Sequence, residues 1–131
     1  MLFMIICYSC NINNYGRKTM HLCDITKNLH AKVIFESSQF HSLDIEHVVV
    51  SDLMSDVLTT EYPSPLIVTS LSTDQTIRTA SMTDAAGVVI TGDKPLPRGI
   101  DKLARELDIT LLHTELEKFD SCVLIGKLLH K

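Results

Sequence analysis

Eight residues that could bind a small ligand follow the ends of predicted strands. Their hydroxyl and backbone N–H groups suit an anionic ligand or a nucleotide, although the two aspartates would repel a bare phosphate unless a metal ion intervened. Because the carboxyl ends of parallel strands share one edge of a sheet, a single site is expected there. The candidate ligand-binding residues are Ser51, Asp52, Thr69, Ser70, Thr91, Gly92, Asp93 and His113.

The same residue types also begin helices without any ligand. Ser51 or Asp52 could cap the helix that follows them, and residues 72–75 (STDQ) have the spacing of a capping box. Helix capping and ligand binding therefore both remain open as explanations of these polar turns.

No catalytic motif accompanies these residues. The sequence contains neither GxxxxGK[ST] nor GxGxxG, which bind phosphates in NTPases and dinucleotide enzymes. Ser51, His113 and Asp93 have the residue types of a Ser-His-Asp triad, but any chain with six histidines allows such a combination. A hydrolase or transferase that uses Asp52 and Asp93 around a divalent metal ion is the least favoured alternative.

The cysteines and histidines do not indicate a metal site or cofactor. Cys7 and Cys10 form a CxxC, but no second ligand pair at matching spacing follows. The six histidines also lack ligand spacing. We therefore predict no metal, no cofactor and no enzymatic activity, with the cysteines reduced in a cytoplasmic protein.

Charge and hydropathy exclude two classes of partner. Twelve Lys and Arg residues against 16 Asp and Glu give a net charge of −4, and no basic cluster offsets it. Nucleic acid is therefore not an expected partner. The apolar run at residues 2–7 is too short to cross a bilayer, so no membrane association is predicted.

Strands and helices alternate from residue 46 onward, which predicts a three-layer α/β/α domain with a mostly parallel sheet of about five strands. Apolar runs predict the strands at 32–36, 46–50, 66–69, 87–91 and 109–112. Helical periodicity and turn residues predict helices over about 21–30, 51–60, 72–84, 97–107 and 116–129.

Residues 1–19 read as an extension of this domain. A short apolar run is followed by a polar stretch, and Met20 opens a segment that resembles a natural start. We expect residues 1–19 to be disordered or to precede the true translation start, and residues 20–131 to form the domain.

Three stretches carry a resemblance to a known family: 21–34, 48–58 (VVVSDLMSDVL) and 67–95, which ends its apolar strand in Thr-Gly. Together they resemble the DRTGG domain. This α/β module occurs alone and inside phosphotransacetylases and CBS-containing pyrophosphatases, and is related in fold to the N-terminal domain of HPr kinase/phosphorylase. Asp93 stands where a second glycine is common in the family, and Ser51 where a glycine is expected.

The resemblance implies a non-catalytic regulatory or dimerising module. A homodimer is expected, together with a partner protein that the module regulates. The alternative is a sensor domain that binds an adenine nucleotide or an anionic metabolite at the strand ends.

Overall fold

A computed structural model describes residues 6–9 and 20–129, whose strands form one mixed sheet. Its spatial order is β1-β3-β4-β5-β6-β2, with β3 to β6 parallel and both edge pairings antiparallel. The α/β class and the mostly parallel sheet are confirmed. The strands are β1 (Ile6–Ser9), β2 (Lys32–Phe35), β3 (His47–Val50), β4 (Leu66–Thr69), β5 (Gly87–Thr91) and β6 (Leu111–Thr114).

The sixth strand, β1, comes from the segment that was predicted to be an extension. It pairs antiparallel with β3, from Ile6 opposite Val50 to Ser9 opposite His47. The other residues of the segment 1–19, including Cys10, lie outside the described residues. Where the domain begins therefore stays a prediction.

Five helices cover the two faces of the sheet. They are α1 (Leu22–Asn28), α2 (Met54–Leu58), α3 (Asp74–Met82), α4 (Ile100–Leu107) and α5 (Lys118–Leu129). Buried side chains of α1 and α5 pack on one face, and those of α2, α3 and α4 pack on the other. This is the predicted three-layer arrangement.

The alternation of side chains along each strand assigns residues to these two faces. Leu111 packs with the α2–α4 layer, whereas Leu112 packs with α1 and α5. The central strands β3, β4 and β5 are buried at every position, as expected where helices cover both faces of parallel strands. Their uninterrupted apolar runs explain why the sequence located them well.

The predicted helix caps are wrong. Leu53 is the N-cap of α2 and Thr73 that of α3, and neither makes a side-chain cap hydrogen bond. Ser51 Oγ instead accepts from the Leu53 N–H at 3.0 Å, one residue before α2 begins. Helix α3 begins one residue later than the proposed capping box requires, so Ser72 does not occupy the cap position.

Strand β6 begins two residues later than predicted. The Ile109 N–H donates to Ala104 O at 2.9 Å, so this residue completes the end of α4. The Thr110 hydroxyl pairs with Ser37 Oγ at 2.9 Å. β6 runs to Thr114, two residues beyond the predicted end, so its last residues lie at the edge where β4 and β5 end.

Candidate functional site

Asp52 organises the ends of β3 and β4. It lies two residues beyond β3, and its Oδ1 accepts from Thr69 Oγ1 at 2.9 Å and from the Ser70 N–H at 2.8 Å. Its Oδ2 accepts from Ser70 Oγ at 2.9 Å. The polar side chains of these turns therefore link the ends of β3 and β4 to each other and do not cap α2.

Lys118 completes the arrangement from the opposite end of the chain. This first residue of α5 donates from Nζ to Asp52 Oδ2 in an ion pair, and both side chains are about one-third exposed (34% and 36%). The loop from Thr114 to α5 is only three residues long. The end of β6 therefore positions Lys118 beside the strand ends.

The partners of Asp52 keep its carboxylate ionised. Partial burial favours the neutral acid, but Lys118 and the hydrogen bonds from Ser70 and Thr69 outweigh burial and lower the pKa of Asp52 to about 2. At neutral pH the Asp52–Lys118 contact is therefore a true ion pair.

A pocket of about 340 Å³ lies beside this ion pair, and we call it the β4–β5 pocket. Its volume is at the lower end of the range for small-molecule sites. Two lysines and two acidic residues contribute to its wall, so the pocket is polar without a strong net charge. The lining residues are Ser70, Ser72, Ile90, Thr91, Gly92, Asp93, Lys94, Glu117 and Lys118.

Four of the eight candidate residues line this pocket, namely Ser70, Thr91, Gly92 and Asp93, and the others have different roles. Ser51 and Thr69 are buried and hold the backbone and Asp52 in place. Thr91 is nearly buried, and its Oγ1 donates to Thr69 O at 3.5 Å. Asp93 is exposed, and it forms no hydrogen bond within the part of the chain that the structure describes.

His113 lies between this pocket and a neighbouring one. Its Nε2 donates to Gly92 O at 3.0 Å, and the Gly92 N–H donates to Leu116 O at 2.9 Å. Gly92 has φ +103°, a conformation that suits glycine. The candidate residues are thus brought to one edge of the sheet, but His113 lines the second pocket and is absent from the wall of the first.

Sequence reasoning missed Lys118 and Glu117. Lys118 is 66 residues from Asp52, and an exposed lysine in a helix carries no signal of its own. Only the short connection after β6 could have indicated that the beginning of α5 returns to the strand ends.

Two further findings concern metal binding and membrane spanning by residues 6–9 and 20–129. No group of three or more His, Cys, Asp or Glu residues there could hold a metal ion. None of the described helices combines the length and apolar character needed to span a membrane.

Comparison with known proteins relates this chain to the DRTGG domain family. The model of the DRTGG domain family matches residues 24–128. Among solved structures, the chain is similar to the CBS and DRTGG domains of the regulatory region of Clostridium perfringens pyrophosphatase, complexed with its activator diadenosine tetraphosphate. No match was found among curated proteins.

The structural similarity has a TM-score of 0.68 at 18% sequence identity and covers 83% of this chain. The chain spans about half of the other protein's chain, 47% of its length. At this identity the similarity shows the shared fold alone.

Proposed function

The chain belongs to the DRTGG domain family, and we propose that this regulatory domain senses a small anionic ligand, foremost an adenine nucleotide, in the β4–β5 pocket. The observation that carries the proposal is Lys118, which presents a partly exposed ammonium group at the pocket while Asp52 holds it there. A phosphate or carboxylate group can accept a charge-assisted hydrogen bond from this donor. Lys94 offers a second cation in the same wall.

The acidic residues of the pocket narrow the chemical class of ligand that we expect. Asp93 and Glu117 line the same wall and disfavour a compact, highly charged anion. They can accept hydrogen bonds from hydroxyl groups, as acidic side chains do from the ribose of dinucleotides. A nucleotide carries both groups, a phosphate for the lysines and ribose hydroxyls for the carboxylates.

The structural neighbour supports this class of ligand, since its regulatory region is complexed with a nucleotide activator. That region contains CBS domains as well as a DRTGG domain, so the assignment to this chain rests on its own pocket. A homodimer that transmits ligand binding to a partner protein is the corresponding proposal for assembly.

Ligand binding is tested by thermal unfolding of the full chain with AMP, ADP, ATP, diadenosine tetraphosphate and a panel of organic acids. A ligand at a hundredfold excess over its Kd stabilises the folded state by about 2.7 kcal/mol. We expect at least one nucleotide to raise the unfolding temperature. Lys118→Ala should then weaken binding by about tenfold to a hundredfold, since it removes a charged donor.

Lys127→Ala is the matched control because Lys127 is exposed on the same helix and absent from the pocket wall. It should bind the nucleotide as the unmodified chain does. An unmoved unfolding curve with every compound, or equal losses in the two lysine variants, would contradict the proposed site.

A further inference from the structure

A second pocket of about 350 Å³, which we call the β6 pocket, lies at the end of β6 on the other side of the Gly92 turn. Its wall combines an apolar part with cationic, anionic and imidazole groups. The lining side chains used below are Leu29, His30, Lys32, His113, Glu115 and Leu116. None of these residues lines the β4–β5 pocket.

Lys32 and His113 form a cross-strand pair. They are directly opposite in the antiparallel pairing of β2 with β6, so their side chains lie on the same face of the sheet. A cross-strand pair of this type is usually stabilised by opposite charges. Here neither member carries a negative charge, and Lys32 forms no ion pair within the described ranges 6–9 and 20–129.

The hydrogen bond to Gly92 determines the tautomer of the neutral His113 ring. Gly92 O can only accept, so Nε2 must carry a proton. In the neutral ring Nδ1 is then an acceptor, and it has no hydrogen-bond partner among the described residues. His113 therefore offers the β6 pocket an acceptor that the chain does not satisfy.

Glu115 supplies the negative charge of this pocket. It is exposed, two residues after His113, and it makes no ion pair with Lys32 or with any other residue that the structure describes. One lysine, one carboxylate and the imidazoles of His30 and His113 thus line a space that Leu29 and Leu116 border with apolar surface.

We propose that the β6 pocket binds a small molecule that carries a carboxylate together with an adjacent ammonium or hydroxyl group, namely an α-amino acid or an α-hydroxy acid. The ligand carboxylate pairs with Lys32. Its ammonium or hydroxyl group donates to Glu115 and to Nδ1 of His113, and its apolar part contacts Leu116. This pairs each charge of the pocket with an opposite charge or a hydrogen bond.

The test is an NMR titration of the full ¹⁵N-labelled chain with individual α-amino acids and with lactate and malate. We expect at least one compound to shift the amide signals of His113 and Glu115, and of Gly92 through its bond to Leu116. Acetate and ethylamine, which each carry one of the two groups, should bind at least about tenfold more weakly. Lys32→Gln and Glu115→Gln should each weaken binding by a similar factor.

Lys27→Gln is the control, since Lys27 is exposed on α1 and does not line the pocket. It should bind as the unmodified chain does. The proposal is overturned if no amino or hydroxy acid shifts these signals at millimolar concentration, or if the Lys32 and Glu115 variants bind as tightly as the control. Stronger binding of amino acids than of hydroxy acids would support the charge pairing with Glu115.

Discussion

Two lysines at the carboxyl edge of the sheet, Lys118 in the β4–β5 pocket and Lys32 in the β6 pocket, are bound differently. In the β4–β5 pocket, Lys118 is paired with Asp52, which also accepts from Thr69 and Ser70. In the β6 pocket, Lys32 has no acidic partner among the described residues. Lys118 thus reaches its pocket while bound to an acidic side chain, whereas Lys32 reaches its pocket without one among the described residues.

This difference predicts different costs for ligand binding. An anion that enters the β4–β5 pocket competes with Asp52 for Lys118, so part of its interaction energy replaces an existing ion pair. A carboxylate in the β6 pocket replaces only water on Lys32. Affinity in the first pocket therefore depends on residues other than Lys118, such as Lys94 for the anionic group and Asp93 or Glu117 for ligand hydroxyls.

The largest expected effect follows from removing Asp52, which holds Lys118 at the first pocket. Asp52→Ala should lower the free energy of unfolding by about 2–3 kcal/mol, because hydrogen bonds to a charged group contribute more than neutral ones. Urea denaturation measures this change.

Glu106→Ala serves as the control, since Glu106 is an exposed acid on α4 whose side chain forms no hydrogen bond or ion pair with any described residue. It should change the free energy of unfolding by less than about 0.5 kcal/mol. Equal effects of the two substitutions would remove the distinction between the pockets.

A smaller effect is expected from pH. The pKa of Asp52 is about 2 in the folded chain against 3.8 for an ordinary aspartate, so between these values the unfolded chain binds more protons. The stabilisation is therefore complete above about pH 5 and is lost as the pH falls through 3.8 towards 2. Because the side chain is 36% exposed, we discount the effect for solvent screening to about 1 kcal/mol.

Asp52→Asn isolates this contribution. The pKa of Asp108 is also lowered, by hydrogen bonds from Ser38, but that residue is unchanged in both proteins and its effect cancels. The unmodified chain should lose about 1 kcal/mol more than Asp52→Asn between about pH 5 and pH 2. Parallel losses would show that the ion pair does not stabilise the fold.

The smallest effect is expected at the second lysine. Lys32→Gln should change the free energy of unfolding by less than about 0.5 kcal/mol, since its ammonium group is exposed and unpaired among the described residues. Urea denaturation without added ligand measures this change in the free energy of unfolding. A loss comparable to that of Asp52→Ala would mean that Lys32 has a structural role, and the comparison of the two pockets would fail.

The sequence predicted the parts of this molecule that depend on local patterns. The strands 66–69 and 87–91 were located without error because each is a short apolar run between turn residues. The same reasoning misplaced β6, since Ile109 and Thr110 are as apolar or β-branched as the strand that follows. Only the pairing with β2 and β5 determines where that strand begins.

The sequence predicted where the candidate residues lie but not which groups they bind. Parallel strand ends must share an edge, and this rule correctly grouped Asp52, Thr69 and Ser70. It could not indicate that Asp52 would bond to the next strand instead of capping its own helix. Nor could it separate His113 from the others, because that separation depends on how the Gly92 turn lies between the two pockets.

The two hydrogen bonds of Gly92 join the turn after β5 to β6 and to the loop that follows it. Its N–H is bound to Leu116 O, in the loop that follows β6, and its carbonyl is bound to Nε2 of His113, within β6. Exchange of the Gly92 amide hydrogen with solvent requires this contact to open. The exchange rate of this amide therefore measures how often the turn after β5 separates from the loop after β6.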